Sequence, residues 1–160
     1  MADIPAGSLV SRLGGRLVSD GQLDALLRDA SADGTGVYVD SVVVGANLHL
    51  VLPVGDLNHY GNHSCDPNLW WTGLYTLATR RPIQAGEEVT NDYATSTGSE
   101  SWAMPCSCGS PLCRGVVSGS DWRRKDLQVR YGQHWVPALL DRIDPGRRST
   151  VDYGVSGDAP

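Results

Sequence analysis

The chain has 160 residues, which fits one domain with a core of its own, perhaps carrying a small appendage. Apolar residues make up 41%, the formal net charge is −5, and five Trp and six Tyr supply the aromatic bulk in the absence of Phe. That acidic balance argues against a nonspecific nucleic-acid binder or a protein of anionic membrane surfaces. No apolar run is long enough to span a bilayer, and no basic region followed by an apolar stretch opens the chain, so the expected location is cytoplasmic.

In chain order, "DIPAGSLVSRLGG" holds a Pro-Ala-Gly turn and a short apolar run that predicts a strand. In "SDGQLDALLRDA", Ser19 and Gln22 have the spacing of a capping box, and Leu23, Leu26 and Leu27 share one helical face. "VYVDSVVVGANLHLVLP" carries two β-branched runs about a Gly45-Ala46-Asn47 turn, which predicts a hairpin. A polar loop, "VGDLNHYGNHSCDPN", leads into "LWWTGLYTLATRRPI", a strand or a bent pair, and then into a turn and the short strand "EVTNDY". Helical patterns recur near 126–131 and 136–143, where Pro145 and Gly146 stop the second; the tail from 147 to 160 is polar and expected to fray. Many short strands, few helices and long loops describe an irregular, mostly β domain.

All four cysteines fall between residues 65 and 113, three of them in "CSCGSPLC". In a reducing compartment such clustering points to a metal before disulfides. Cys106, Cys108 and Cys113 bring three sulfurs to a small volume, and a closed Zn²⁺ site takes four ligands, so Cys65 is expected to be the fourth. The spacing is not the paired C-x2-C of a nucleic-acid-binding zinc ribbon. Ser64 beside His63 brings a hydrolase to mind, but there is no G-x-S-x-G elbow. Glu87 and Glu88 are adjacent, and neighbouring residues on a strand point to opposite faces, so they are expected at a turn rather than as paired catalytic carboxylates. "RRKD" at 123–126 reads as a solvated helix face.

"NHSCDPN", "GEEVTNDY" and a final C-x-C-x4-C-R-G, in that order, resemble the SET-domain protein-lysine methyltransferases with a post-SET zinc motif. The resemblance covers about residues 4 to 115. It implies a fold of small curved β-sheets with a pseudoknot, S-adenosylmethionine as methyl donor and a protein lysine as acceptor. By the same resemblance Asn62 and His63 contact the cofactor, the Asn through its side chain and the His through its backbone with its ring near the adenine. Tyr60 and Trp122 are further cofactor contacts, the latter as a cover, and Tyr93 is the catalytic tyrosine. Cys65, Cys106, Cys108 and Cys113 are the zinc ligands. The implied division is a SET domain over 1–97, a post-SET zinc segment over 98–117, a helical extension over 118–145 and a flexible tail over 146–160.

Methyl transfer from a sulfonium to an amine needs alignment above all. It also needs a neutral lysine, disfavoured at pH 7 by roughly 4–5 kcal/mol for a pKa near 10.4. A tyrosine hydroxyl can orient the amine without adding a charge that would hold its proton.

Three features depart from the family pattern. Its Gly-x-Gly segment, expected just before Asp3, is not in the sequence given; Leu13 stands where a tyrosine is usual; and His59-Tyr60-Gly61 replaces an Arg-Phe-apolar run. The expectation is weak cofactor binding by this chain alone. Two readings follow, a zinc-stabilised lysine methyltransferase and a SET-like module that binds a peptide or partner without turnover. The heavy use of Ala, Gly, Asp and Arg is that of a GC-rich bacterial genome, so a histone is not assumed as substrate.

Overall fold

The computed structural model describes residues 2–32, 39–55 and 61–147. Among the described residues, ten short strands form four small sheets, joined by three α-helices. β1 (Leu9–Arg12), β7 (Thr76–Thr79) and β6 (Leu69–Trp71) form one antiparallel sheet in the order β1-β7-β6. β6 and β7 are thus the bent pair, running antiparallel with Trp71 opposite Leu77. β2 (Arg16–Val18), β4 (Leu48–Val51) and β3 (Ser41–Gly45) form a second antiparallel sheet in the order β2-β4-β3. The sequence pattern predicts one strand before the first helix; two are present, because the Gly14-Gly15 pair lets the chain leave the first sheet and join the second.

α1 (Asp20–Ala32) starts at the predicted capping box. The Ser19 N–H donates to Gln22 Oε1 at 2.9 Å, and the Gln22 N–H donates to Ser19 Oγ at 3.3 Å. These bonds satisfy donors that the first turn of a helix leaves open. The β3–β4 hairpin turns through Ala46 and Asn47, the latter at φ 51°, a conformation asparagine tolerates better than most residues. The predicted run at Val37–Tyr38 lies outside the described residues.

"EVTNDY" is less strand than its pattern suggests. Only Thr90–Asn91 (β8) is extended, and Tyr93–Thr95 is a single 3-10 turn. β8 pairs in parallel with β5 (Asn62–His63), Asn62 opposite Thr90 and His63 opposite Asn91. Beyond it, β9 (Ala103–Pro105) and β10 (Val116–Ser118) form an antiparallel ladder that brackets the three clustered cysteines.

α2 (Lys125–Tyr131) and α3 (Pro137–Ile143) close the described chain. Gly132 ends α2 at φ 54°, where a side chain would be strained, and Pro137 stands at the start of α3, where no N–H is needed. The inner faces of these helices belong to the core. Tyr131, Trp135, Val136 and Leu139 are buried in one cluster with Trp71, Val44, Ile83 and Val117. With no Phe, the tryptophans and Tyr131 fill the space that large aromatics occupy in other cores. Among the described residues no helix is long and apolar enough to cross a membrane.

Candidate active site and metal centre

The segment 62–68 is clamped to 87–91 by side chains as well as by β5–β8. Asn68, fully buried, donates through Nδ2 to Glu87 Oε1 at 3.0 Å and to the Glu88 carbonyl at 2.7 Å. Its Oδ1 accepts the Thr90 N–H at 2.8 Å, and its carbonyl accepts the Arg80 N–H at 2.7 Å. Asn62, at the exposed end of the segment, donates to Glu88 Oε1 at 2.6 Å. Glu87 turns instead to Arg81 at 2.6 Å. Arg81 first and Asn68 second hold the Glu87 carboxyl down to about 2. The two glutamates therefore serve the clamp and do not form a catalytic pair.

Tyr93 follows directly. Its hydroxyl donates to the Gly61 carbonyl at 2.6 Å, so the tyrosine ring bridges the two segments. Its N–H donates to His63 Nδ1 at 3.2 Å. That acceptor role puts the His63 proton on Nε2, which lies 3.4 Å from Cys65 Sγ. Burial lowers the His63 pKa and Arg114 lowers it further, against the raising influence of Asp92, in keeping with a neutral ring. The imidazole is only 3% exposed, and both its nitrogens are engaged within the chain. What His63 offers outward is its backbone.

The cysteines converge as the spacing predicts. All four Sγ atoms lie within 4.8 Å of one another, and Cys106 Sγ is 3.8 Å from both Cys65 Sγ and Cys113 Sγ. A tetrahedron with Zn–S bonds of about 2.3 Å has edges of about 3.8 Å, so the donor set and its size fit Zn²⁺. The Arg114 N–H points at Cys65 Sγ at 3.4 Å and the Cys65 N–H at Cys108 Sγ at 3.5 Å, the kind of donor that steadies thiolates. Burial pushes the Cys65 thiol up to about 12. Burial also acts to raise Cys108, but N–H donors from Cys65 and Ser110 outweigh it and bring that thiol down to about 6.

Sequence reasoning missed the group that ties these parts together. Asp92, buried between Asn91 and Tyr93, accepts the Ala94 N–H at 3.1 Å and so caps the turn that carries Tyr93. Arg114 grips both its oxygens, each at 2.6 Å. The Tyr131 hydroxyl donates to Oδ2 at 2.8 Å. Arg114 Nε lies 3.1 Å from Asp121 Oδ2, close enough to pair in charge though off the hydrogen-bond axis. Arg114 stands inside the C-R-G motif and Asp92 inside "TNDY", but nothing in their spacing says that they meet.

A cavity of about 630 Å³ opens beside Tyr93. Leu13, Leu23, Trp71 and Trp102 give it apolar walls, and Asp20, Asp24 and Asp40 contribute carboxylates. Trp102 stands 6.4 Å from the Tyr93 ring, centroid to centroid, and its loop is held close because Gly119 packs where any Cβ would come within 1.7 Å of the Ser99 carbonyl oxygen. Asn62, His63 and Trp122 do not line this cavity, although Tyr93 does. Trp122 sits in the turn before α2 with the Arg123 guanidinium 4.7 Å over its ring. Tyr60 lies outside the described residues.

A profile of the SET domain matches residues 1–94. The chain belongs to the SET-domain family. It is 36% identical over 99 residues to the histone-lysine N-methyltransferase ash1 of Drosophila melanogaster, an overlap of 58% of this chain and 4% of that protein. It is 35% identical over 128 residues to the histone-lysine N-methyltransferase trithorax of Drosophila virilis, covering 72% of this chain and 3% of that one. The SET-domain chain thus spans a small fraction of those long relatives. Methyltransferase flvH of Aspergillus flavus is nearer in size, 31% identical over 114 residues that make up 69% of this chain and 61% of that protein. Among solved structures, the methyltransferase domain of human SETMAR superposes with a TM-score of 0.55 at 20% identity, over 71% of this chain and half of the other, which confirms the SET fold. The fold expected from the sequence, small β-sheets with a cysteine cluster, is the one present.

Proposed function

We propose that the chain is a protein-lysine N-methyltransferase that uses S-adenosylmethionine and is held together by one structural zinc. One observation carries the reading: Tyr93 stands with its hydroxyl tied to the Asn62 segment while its ring lines a cavity walled by Trp102 and Trp71. Donor and acceptor sites on either side of one tyrosine are what in-line methyl transfer requires.

Bound S-adenosylmethionine supplies an electrophilic methyl. Asn62, exposed and pre-set by Glu88, and the His63 backbone are the groups of this chain to hold the cofactor's polar atoms. Trp122, a half-buried aromatic beyond the cysteine cluster, is the candidate cover. The acceptor lysine enters from the cavity, where apolar walls disfavour its charged form and so help release its proton. The Tyr93 hydroxyl orients the neutral amine. Cys65, Cys106, Cys108 and Cys113 hold zinc and so fix the loop at 62–68 against the segment 103–118. The partner is a protein with an accessible lysine, and the location is taken to be the cytoplasm.

Radiolabelled methyl transfer to a lysate or peptide library tests the reading. Lysine labelling that falls about tenfold or more in Tyr93→Phe, with cofactor affinity kept, is the expected result. Asn62→Ala should instead weaken cofactor binding. Tight cofactor binding without labelling in any pool would replace this reading with a module that binds and does not turn over.

A further inference from the structure

Asp92 is one residue from the candidate catalytic tyrosine, and Arg114 is one residue from the last cysteine of the cluster. Both side chains are out of water, 0% and 4% exposed, and they meet in a two-pronged pair with both contacts at 2.6 Å. A buried pair of this kind is costly to desolvate, and on burial alone it adds little to stability. What distinguishes this one is what it is attached to. The Asp92 carboxylate caps the turn of Tyr93, and its carbonyl accepts both the N–H and the hydroxyl of Thr95, at 2.9 and 2.6 Å. The Arg114 N–H rests on Cys65 Sγ. We propose that Asp92 and Arg114 are positioning residues that transmit the geometry of the cysteine cluster to Tyr93, so that the metal site sets the aim of the tyrosine hydroxyl as well as the stability of the fold.

The chemistry needs the fork. Arginine presents two parallel N–H groups to two carboxylate oxygens and so fixes the carboxylate plane; lysine supplies the charge from one point and leaves the plane free to turn. Tyr131 fixes Oδ2 from a third direction. A turn tied this way keeps the Tyr93 hydroxyl at one place relative to Gly61, and a shift on the order of 1 Å there can cost about 100-fold in rate.

This inference rests on the reading of Tyr93 as the tyrosine of methyl transfer, and its test has a readout that does not. The full chain is prepared with 3-fluorotyrosine at position 93, as wild type, Arg114→Lys and Tyr131→Phe. The fluorine resonance of residue 93, turnover, cofactor affinity and zinc content are measured on each. The expected result for Arg114→Lys is a displaced or broadened resonance and turnover down about tenfold or more, with cofactor affinity within about twofold and one zinc per chain kept. Removing zinc from the wild type by chelation should displace the same resonance. Tyr131→Phe, a milder change at a buried site, should move it in the same direction with a smaller loss of turnover, and it carries the test if Arg114→Lys does not fold. An unmoved resonance with turnover within about twofold of wild type overturns the proposal. So does zinc loss in both variants, which would reduce the pair to a part of the metal site. If the wild type transfers no methyl at all, the functional reading fails, and the resonance alone decides the coupling.

Discussion

On one side of the cavity, Val42 and Val43 of β3 line it, with Val44 and Leu50 buried in the core beside them, all held by apolar contact and a backbone ladder. On the other, Tyr93 is held by Gly61, His63 and the capped turn of Asp92, each through a directional hydrogen bond. Apolar packing fixes volume and tolerates exchange of one aliphatic side chain for another. Hydrogen bonds and metal ligation fix position and tolerate little. The side that holds the Tyr93 hydroxyl is built from directional bonds, beside a cysteine cluster sized for a metal, and the side that shapes the cavity is built from apolar packing.

Removing the metal tests that contrast most severely. Structural zinc contributes on the order of 10–16 kcal/mol of apparent binding energy at pH 7. Chelation, or Cys65→Ala, should collapse amide protection over 62–68 and 103–118 while amides of the β3–β4 hairpin keep theirs, as read by hydrogen exchange. Equal loss in both regions would mean that the two walls are one cooperative unit and the contrast is false. Zinc analysis of freshly purified, reduced protein should give about one ion per chain.

Asn68→Ala removes three side-chain bonds at a buried site and strands the Thr90 N–H. A loss of about 2–3 kcal/mol in a urea titration is expected, together with lower turnover, because β8 leads directly into Tyr93. Val44→Ala, in the β3–β4 hairpin behind the opposite wall, should cost about 2 kcal/mol for the methyl groups and the space they leave. Here turnover per folded molecule should not change; if it drops as far as in Asn68→Ala, the apolar wall is aiming the chemistry too. The smallest effect belongs to Glu87→Gln, at an ion pair that water reaches. The folded carboxyl sits near 2, below its ordinary 4.5, so whatever stability it adds is complete above 4.5 and fades as pH falls towards 2. The gap in melting temperature between wild type and Glu87→Gln should be small at pH 7 and should narrow at pH 3.

Legibility in the sequence divided along a related line. Local features could be read: the Ser19–Gln22 box, the turn at Asn47, the helix near 126–131, and the cysteine cluster, whose spacing says that three sulfurs must meet. Tyr93 and Asn62 are candidates through motif resemblance alone, since a tyrosine after a strand and an asparagine in a loop carry no signal of their own. What stayed hidden is the polar interior. Asp92 meets Arg114 across 22 residues and Tyr131 across 39, and Asn68 meets Thr90 across 22. No periodicity marks such pairs; each partner alone looks like a surface residue. The family resemblance implies a His63 ring near the adenine; in the folded chain both ring nitrogens are engaged by Tyr93 and Cys65, a contact no sequence signal marks.

The parallel pairing of β5 with β8 has a consequence for the order in which the protein comes into being. Residues 62–63 must wait for 90–91, with the β6–β7 pair lying between them in the chain, and Cys65 must wait for Cys113. As the chain leaves the ribosome, the β3–β4 hairpin can close on neighbours a few residues away, but the partners of Asn62 and Cys65 have not yet been made. Long-range closure of this kind is slow compared with hairpin formation. The β3–β4 side of the cavity can therefore form before the segment that faces it, and a nascent chain halted short of Arg114 would carry the hairpin without the Arg114–Asp92 pair that ties the turn of Tyr93.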